Sequence, residues 1–596
     1  MKTIPRTKHS NKYNQEKNRL VSKALFEKKL DAMKGYVEEY LKSNPIDIKC
    51  KDIQDEVKYT VFVSVSDGKK RARVCHASAA DFEASFMKVR EKVRTVIDKY
   101  SLTPVWIKID VVDFVQKVPF ANLKKIFLSV KYKDFFRMGF SLDPWMDIAF
   151  LEAEANSYGL YDYSVIPMKA SKPGHENVPC INIEQVEKYL GWNGRQCSPI
   201  IMPFVYFFNC KSFFMDVDKE IYMLYNAGMH CGRRTIGELT PEFVKEILTT
   251  SSQYLTRQML PSDKFIYGYF SRFNAVMTSY NILRHTGTVW SMMCAYEVTG
   301  DNSLLETINK AIDYLLTQIS YKDNETAFVV EAGSREIKLG GNGIAIIALT
   351  KHMEVFGDRD FTDMITLLAN GILYLQDKET GKMTHVLDAA NFEVKEAFRT
   401  VYYDGESAYA LIKAYDITGN NAYLDAARRS IDYFINKNYV VYRDHWLAYA
   451  MNEFTRFVNE EKYYTFALRN AWENRERIRK QQTSYHTYLE LLMETYDIYL
   501  RIKEQNISVD YMNQIDEDEF VEIIKYRAFH MLDGYFYPEY AMYMERPDKI
   551  LGSFFVRHDD FRARIDDNQH FIDGYAKYYK LILHNGEGLL YVENEE

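Results

Sequence analysis

Three nearly identical joints between helices constrain the fold of this chain more than any other feature of its sequence. AYEVTGD begins at residue 295, HMEVFGD at residue 352 and AYDITGN at residue 414. In each joint a glycine ends one helix, and a second amphipathic helix begins a few residues later. The joints recur about every 60 residues, the length of one helical hairpin, and a lone hairpin cannot bury its own apolar stripe. The chain is therefore expected to stack several such hairpins on one another.

Helical periodicity predicts twelve helices from residue 240 onward, in two alternating sets. The first set is amphipathic, and its members are predicted at 241–259, 303–319, 361–375, 422–437, 461–480 and 518–533. Helices of the second set have apolar or small residues on nearly all sides near their starts. They are predicted at 285–298, 342–356, 405–418, 445–458, 485–503 and 567–583. Outer helices that meet water and inner helices buried by neighbours predict an (α/α)6 toroid, with an open solenoid as the alternative.

Changes in composition and hydrophobic periodicity divide the chain into four parts. Residues 1–50 are predicted to be a polar leader and helix, 51–123 a small α+β domain, 124–239 a mixed α/β connecting region and 240–596 the toroid domain. The α+β signal is a hairpin of KYTVFVSVS and RARVCHA around DGKK, followed by a helix at 81–100 and a strand at 104–113. VPCINI near Pro179 and IIMPFVYFFNC, which ends at Cys210, are strand-like pieces of the connecting region. The predicted fold class is α-rich and multi-domain, with a C-terminal (α/α)6 toroid preceded by an α+β N-terminal region.

Charge and hydropathy exclude several partners. The sequence has 76 basic and 83 acidic residues, a net charge of −7, which gives no general field for a phosphate backbone. No run approaches the roughly 20 apolar residues of a membrane span, and the basic N-terminus has no apolar stretch that would make it a secretory signal. We therefore expect a cytoplasmic protein without a nucleic-acid partner or a membrane span, and the oligomeric state stays open.

The seven cysteines give no sign of a metal site, because they form no CxxC pair and no short Cys/His cluster. Cys294 is the only cysteine beyond residue 240, which argues against the Cys/Cys/His zinc site of lanthionine-cyclase-like toroids. GGNG at 340–343 neither follows a strand nor leads into a GKS or GKT sequence, so it is a weak phosphate-loop candidate. No cofactor and no metal ion are expected.

The starts of the six predicted inner helices should converge at one mouth of the toroid. They read NILRHTG (281–287), GGNG (340–343), YYDGES (402–407), YRDHW (442–446), TSYH (483–486) and RIDDNQH (564–570). Helix capping accounts for Asn342, Asp404 or Ser484 singly, but not for the recurrence of His, Arg, Trp and paired Asp at the same end. Aromatic faces and hydroxyl-binding polar groups are what a sugar requires. The predicted substrate-binding residues are Arg284, His285, Asn342, Tyr403, Trp446, Tyr485, His486 and Asp567.

Residues 240 to 590 resemble the six-hairpin carbohydrate enzymes, which include glycoside hydrolases, unsaturated-uronyl hydrolases, uronyl C5-epimerases and N-acylglucosamine 2-epimerases. The resemblance rests on the hairpin count and on joint motifs such as YEVTGD and YDITGNNAYLDAA. It implies a carbohydrate substrate, but the chain carries no complete catalytic signature of one member.

Hydrolysis of a glycosidic bond is the leading expectation. It needs one carboxylic acid to protonate the leaving oxygen and one carboxylate to activate water or attack, about 5 to 10 Å apart. Asp404 or Asp444 is the predicted base, and Glu406 or Asp566 the predicted acid.

Epimerisation or isomerisation is the second expectation, because proton removal beside a carbonyl is commonly done by two histidines. His445 and His570 occupy positions resembling the histidine pair of the N-acylglucosamine 2-epimerase group, and Arg284 could hold the enolate oxygen. The surrounding DHWLAYAMNEF and NQHFIDG depart from that group. A third hypothesis is a non-catalytic scaffold of a polysaccharide assembly system.

Overall fold

The computed structural model describes residues 7–164, 180–195 and 203–583. Its N-terminal region contains the helices α1 (Thr7–Ser43), α2 (Phe82–Tyr100), α3 (Leu123–Ser129), α4 (Glu152–Ser157) and α5 (Ile183–Trp192). Its strands are β1 (Tyr59–Ser66), β2 (Arg73–Ala79), β3 (Trp106–Pro119), β4 (Gly139–Ser141), β5 (Ala149–Phe150), β6 (Phe204–Met215) and β7 (Ile221–Leu224). Residues 178–179 of the predicted piece VPCINI, residues 200–202 of IIMPFVYFFNC, and Cys197 lie outside the described residues.

All the described strands of the N-terminal region form one antiparallel sheet in the order β2-β1-β3-β6-β4-β5, with β7 paired to β6. The predicted hairpin pairs Val61 with Ala77 and Val63 with Cys75, so alternate side chains enter the core beneath α2. The sheet contains strands from both of the predicted parts 51–123 and 124–239. We therefore treat the two parts as one α+β unit.

Helices dominate from residue 241 onward. The outer helices are α6 (Pro241–Arg257), α8 (Leu305–Leu316), α10 (Thr362–Leu375), α12 (Asn421–Asn436), α14 (Glu461–Trp472) and α17 (Glu517–Met531). The inner helices are α7 (Ile282–Thr299), α9 (Leu339–Phe356), α11 (Tyr402–Thr418), α13 (His445–Phe457), α16 (Thr487–Glu504) and α20 (Ile565–Tyr578). The short helices are α15 (Arg475–Arg479), α18 (Pro538–Ala541) and α19 (Pro547–Ile550).

The inner helices close into a ring. Each contacts the next inner helix along the chain, and α20 returns to contact α7. Each outer helix packs against the outside of this ring, as α10 does on α9 and α11 and α14 does on α13 and α16. The expected (α/α)6 toroid is confirmed, and the open solenoid is wrong, because the first and last inner helices bury their apolar faces against each other.

The three joint motifs end their helices as predicted. Gly300, Gly357 and Gly419 have φ of 65°, 71° and 68°, the left-handed conformation that glycine adopts without steric cost. The amide of each glycine donates to the carbonyl four residues earlier, for example Gly300 to Tyr296 at 2.8 Å. The joint thereby turns the chain directly into the next outer helix.

Two small sheets lie among the connections of the toroid. One joins β10 (Ile319–Tyr321), β11 (Ala327–Glu331), β12 (Glu336–Lys338), β13 (Val386–Asp388) and β14 (Val394–Glu396). The other joins β8 (Gly268–Phe270), β9 (Ala275–Val276) and β15 (Arg562–Arg564), immediately before α7 and α20.

The N-terminal sheet packs against the segment that precedes α20. Met542 and Tyr543 enter the same apolar cluster as Phe62 on β1, and the Tyr543 hydroxyl lies 2.8 Å from the Ser64 hydroxyl. Arg234 adds a buried ion pair with Glu539 at 2.8 Å. Among the residues described, no helix combines the length and apolar character needed to cross a membrane.

Candidate functional site

A cavity of about 460 Å³ opens where the inner helices begin. Its lining residues are Asn281, Leu283, Arg284, Ile344, Thr400, Tyr402, Tyr403, Glu406, His445, Trp446, Tyr485, His486, Thr487, Arg564, Asp566, Gln569 and His570. Every inner helix contributes a residue from its start or from the segment just before it. The helix starts therefore converge at one mouth, where histidines, carboxyl groups, arginines and aromatic rings surround one space.

A larger cavity, of about 760 Å³, lies at the opposite end of the toroid, where the inner helices end. Its charged side chains pair with one another, as in Lys351 with Glu297 at 2.6 Å and Lys577 with Asp497 at 2.7 Å. Ion pairs of this kind satisfy their own charges. We place the candidate site at the mouth, because histidines, carboxyl groups, arginines and aromatic rings surround one space there.

Three histidine rings meet at the mouth. The ring centroids of His445 and His570 lie 4.9 Å apart with their planes nearly perpendicular, and His486 stacks on His570 at 5.1 Å. Burial lowers the pKa of His570 to about 4 and that of His486 to about 3, because the interior disfavours the charged imidazolium. All three rings are therefore neutral near pH 7, since burial also depresses the pKa of His445 well below its ordinary value.

His570 is oriented by a buried carboxyl group from the neighbouring inner helix. Its Nδ1 lies 2.9 Å from Oε1 of Glu490, and the Tyr449 hydroxyl donates to Oε2 of Glu490 at 3.2 Å. Burial raises the pKa of Glu490 well above its usual range, so the carboxyl is protonated and can donate to Nδ1. Neutral His570 then carries its own proton on Nε2, towards the cavity.

His445 has no comparable partner. In the described part of the chain, neither of its ring nitrogens makes a hydrogen bond, although the side chain is buried. The closest carboxylate oxygen among its ion-pair contacts is Oδ1 of Asp444, which is 3.6 Å from Nδ1 and beyond hydrogen-bond distance. A buried imidazole without a hydrogen-bond partner lowers the stability of the fold by about 1–3 kcal/mol. Such a group in a folded protein calls for an explanation, and a catalytic role is one.

Glu406 is the carboxyl group that faces the cavity without an ion pair. Its Oε2 is buried and makes no hydrogen bond to the described residues. Burial raises its pKa well above the ordinary value, the nearby Asp444 raises it further and Arg284 lowers it. These surroundings favour the neutral form of the Glu406 carboxyl.

Replacing Glu406 by glutamine is expected to stabilise the protein increasingly as pH rises. The folded-state pKa is raised above the unfolded value of 4.5, so the unfolded chain loses its proton first and Glu406 lowers the free energy of unfolding above that pH. Glutamine has no proton to lose, and we therefore expect E406Q to raise the free energy of unfolding more at pH 7.5 than at pH 4.5. Urea unfolding at the two pH values measures this difference. The exposed Glu379→Gln is the matched control, and an equal effect of E406Q at both pH values would refute the raised pKa.

The Arg284 guanidinium crosses the mouth from the start of α7. Its Nε contacts Oδ2 of Asp566 at 2.6 Å, and its Nη1 donates to the Tyr267 hydroxyl at 2.7 Å. Arg564 also pairs with Asp566, on Oδ1. Asp566 bridges the two arginines, so Arg284 is held in place and presents a positive charge to the cavity.

Two of the predicted catalytic carboxylates do not line the cavity. Asp404 is buried behind it, where Oδ1 contacts Nε2 of His385 at 3.1 Å and Oδ2 accepts from the Tyr439 hydroxyl at 3.1 Å. Asp444 caps α13, accepting from the amides of Trp446 at 3.0 Å and Leu447 at 3.3 Å. Both carboxyl groups already have their partners, and burial raises the pKa of Asp444 well above its ordinary value. We assign neither of them the role of general base.

Three predicted binding residues are also structural. His285 is buried, with Nδ1 on the Tyr280 hydroxyl at 2.7 Å and Nε2 on the Ala311 carbonyl at 2.9 Å. Asn342 is fully buried and bonds to the backbone at Val329, Ala327 and Leu368. Asp567 accepts hydrogen bonds from Nε and Nη2 of Arg562, each at 2.9 Å. Side-chain direction decides these outcomes, because each residue points away from the ring centre.

Aromatic rings wall the mouth. Tyr403, Trp446 and Tyr485 line the cavity as predicted, and Trp446 packs on Trp290 with ring centroids 5.5 Å apart. Tyr402 joins them, with its ring 5.5 Å from that of His445. Ring faces beside hydroxyl groups suit a ligand with both C–H and O–H surfaces.

Sequence reasoning missed Tyr402, Arg564, Gln569 and Glu490. The first three lie inside or beside the helix-start motifs but were not assigned a role. Glu490 was missed because it lies one turn inside α16, although its spacing of four residues from His486 is a helical signal that could have identified it.

No protein-family profile and no curated protein matches the sequence. Solved structures similar to part of the chain include a D-mannose isomerase (11% identity, 57% of this chain, 98% of that chain, TM-score 0.44). A cellobiose 2-epimerase from Bacillus thermoamylovorans is 12% identical over 57% of this chain and 100% of that chain, with a TM-score of 0.44. An unsaturated glucuronyl hydrolase from Bacillus sp. GL1 is 13% identical over 57% and 97%, with a TM-score of 0.42. At this level of likeness no activity transfers to the present chain.

Proposed function

We propose that the toroid mouth epimerises or isomerises a sugar by moving a proton at the carbon next to its carbonyl group. The observation that carries this proposal is the pair of His445 and His570, 4.9 Å apart at the cavity. One imidazole is unpartnered, and the other is hydrogen-bonded to the buried carboxyl of Glu490. A base and an acid are thus present together in neutral side chains.

The proton moves in two steps. A ring nitrogen of neutral His445 takes the proton from the carbon beside the carbonyl, the C–H bond breaks, and its electron pair moves onto the carbonyl oxygen to give an enolate. The Nε2–H of His570 then returns a proton to carbon, on the other face for epimerisation, as the enolate electrons re-form the C–H bond. Glu490 passes its proton to Nδ1 of His570, which stays neutral while the carboxyl becomes a carboxylate. His445 then gives its proton to solvent and Glu490 takes one from solvent, which restores both groups for the next turnover.

Arg284 supplies the charge that the enolate requires. Asp566 and Tyr267 fix its Nε and Nη1, and the side chain lines the cavity. A fixed cation aimed at a developing oxyanion stabilises the transition state without reorganising. Removing one such donor costs about 10²–10³-fold in kcat.

The lining favours a sugar over other carbonyl compounds. Trp446, Tyr402 and Tyr403 offer ring faces for C–H surfaces, while Asn281 and Gln569 offer amides for hydroxyl groups. A cavity of about 460 Å³ lies within the range of small-molecule sites.

Hydrolysis of a glycosidic bond is the second candidate, and the neutral carboxyl of Glu406 supports it. An uncharged carboxylic acid is what protonation of a leaving oxygen needs. Asp566 would be the partner carboxylate, but both of its oxygens are already engaged in ion pairs with Arg284 and Arg564. The two predicted bases, Asp404 and Asp444, have other partners.

The test is a comparison of two substrate classes with two variants. Free reducing sugars, including D-mannose, D-glucose, cellobiose and N-acetylglucosamine, are assayed for conversion to an isomer, and aryl glycosides for release of the aryl group. The proposal expects conversion of a reducing sugar that H445N abolishes and E406Q retains. Release of aryl groups that E406Q abolishes and H445N retains would establish the hydrolase instead, and binding without either reaction would favour a scaffold.

A further inference from the structure

The loop at residues 481–486, here called the mouth loop, brings Tyr485 and His486 to the cavity at the start of α16. Tyr485 has a φ of 20°, an uncommon conformation for a residue with a side chain. His486 stacks on His570, so the position of this loop sets one wall around the proposed acid. Such a conformation persists only where the surroundings impose it.

Two buried side chains from α17 hold the carbonyl groups of the mouth loop. Arg527 is fully buried and donates Nη2 to the Ser484 carbonyl at 2.7 Å and Nη1 to the Gln481 carbonyl at 3.3 Å. His530 places Nε2 3.1 Å from the Gln482 carbonyl and 3.3 Å from the Thr483 carbonyl. The loop backbone is therefore fixed from the toroid side.

Asp533 connects this arrangement to the N-terminal region. Its Oδ2 lies 3.1 Å from Nδ1 of His530. From the N-terminal region, Nδ1 of His230 lies 2.8 Å from both carboxylate oxygens, and Nε of Arg233 lies 3.2 Å from Oδ1. Despite burial, these partners hold the pKa of Asp533 below its ordinary value, so the group is a carboxylate.

We propose that the N-terminal region positions the mouth loop through Asp533, with His230 and Arg233 as its contacts. The Asp533 carboxylate lies against Nδ1 of His530 without a hydrogen bond between them, and Nε2 of His530 in turn lies within hydrogen-bond distance of the Gln482 and Thr483 carbonyl groups. The N-terminal region thereby controls where Tyr485 and His486 stand, whatever reaction the mouth performs. A shift of about 1 Å in such a wall costs on the order of 100-fold in rate.

One ion pair between the two regions lies away from the mouth loop. Lys133 pairs with Asp560 at 2.5 Å, on the segment before α20. Both residues of this pair are partly exposed, so its removal leaves the buried core intact. Lys133→Ala is therefore a matched control that breaks an ion pair between the same two regions without touching the Asp533 link.

Hydrogen–deuterium exchange of the full-length protein tests the proposal without a substrate. The reporters are the amides of Tyr488 and Leu489, which donate to the Tyr485 and His486 carbonyl groups at 3.3 and 3.4 Å. His230→Ala and Asp533→Asn are each expected to accelerate their exchange about 10-fold, while K133A leaves it unchanged. H230Q should restore slow exchange, because an amide can still donate to Asp533.

Two outcomes would overturn the proposal. One is native exchange at Tyr488 and Leu489 in both H230A and D533N. The other is acceleration spread evenly over all inner helices, which would make His230 a general stabilising residue. His230 is partly exposed, so H230A is expected to fold, and the thermal midpoint of each variant is measured alongside.

Discussion

Replacing His570 by asparagine is expected to lower kcat for sugar conversion by about 10²–10⁴-fold, the usual contribution of a general acid or base. Asparagine keeps a polar side chain beside Glu490 but cannot relay a proton between that carboxyl and the cavity. Because proton transfer by His570 acts on the transition state, KM should change much less than kcat. Steady-state kinetics on a converted reducing sugar measures both constants.

The control for this substitution is His352→Asn on α9, near its far end from the mouth. It removes an imidazole from the same toroid and should leave kcat within about twofold. Glu490→Gln should give an intermediate loss, because it removes the proton but not the hydrogen bond to Nδ1. A kcat for H570N within threefold of native would remove His570 from the mechanism.

Replacing Gly405 by alanine is expected to destabilise the toroid by about 3 kcal/mol, the upper end for overpacking. An added Cβ would lie 2.6 Å from the Leu447 amide nitrogen and 2.6 Å from Oδ2 of Asp444. These atoms belong to the capped first turn of α13, so the two inner helices would have to separate at the mouth. Chemical denaturation measures the loss, and mouth activity should fall with it.

Gly191→Ala is the matched control, because an added Cβ at this helical glycine meets no described atom within 4 Å. It should be neutral or stabilise α5 by about 0.5–1 kcal/mol. An equally small effect of G405A would contradict the close approach of α11 and α13.

The toroid could be predicted from the sequence because its signals are local. Each joint glycine ends a helix by its own conformational freedom, and each outer helix carries one apolar stripe. The seven-stranded arrangement of the N-terminal region could not be predicted as one unit. It pairs β3 with β6 across the 84 residues from 120 to 203, and such pairings leave no periodic mark in the sequence.

The site could be predicted only as a set of helix starts, because side-chain direction decides which residues reach the cavity. Asp404 and Glu406 are two residues apart on α11 and therefore point to nearly opposite sides of the helix. Asp566 and His570 are four apart on α20 and share a face. Asp567 is three residues before His570 and lies near the same face, yet its carboxylate pairs with Arg562, so spacing alone does not identify it as structural.

The partners of the lining residues could not be predicted. Glu490 reaches His570 from a different inner helix, and His230 reaches Asp533 from the N-terminal region. Both contacts join residues far apart in sequence, and only the closed ring and the docked sheet bring them together.

The most direct measurement is proton exchange at the carbon beside the carbonyl of a converted sugar in D₂O, followed by proton NMR. If His445 and His570 exchange protons between that carbon and the solvent, deuterium should replace the hydrogen at carbon 2 during turnover, and H445N should abolish the replacement. Conversion or bond cleavage that leaves the hydrogen at carbon 2 untouched would contradict proton transfer by this histidine pair.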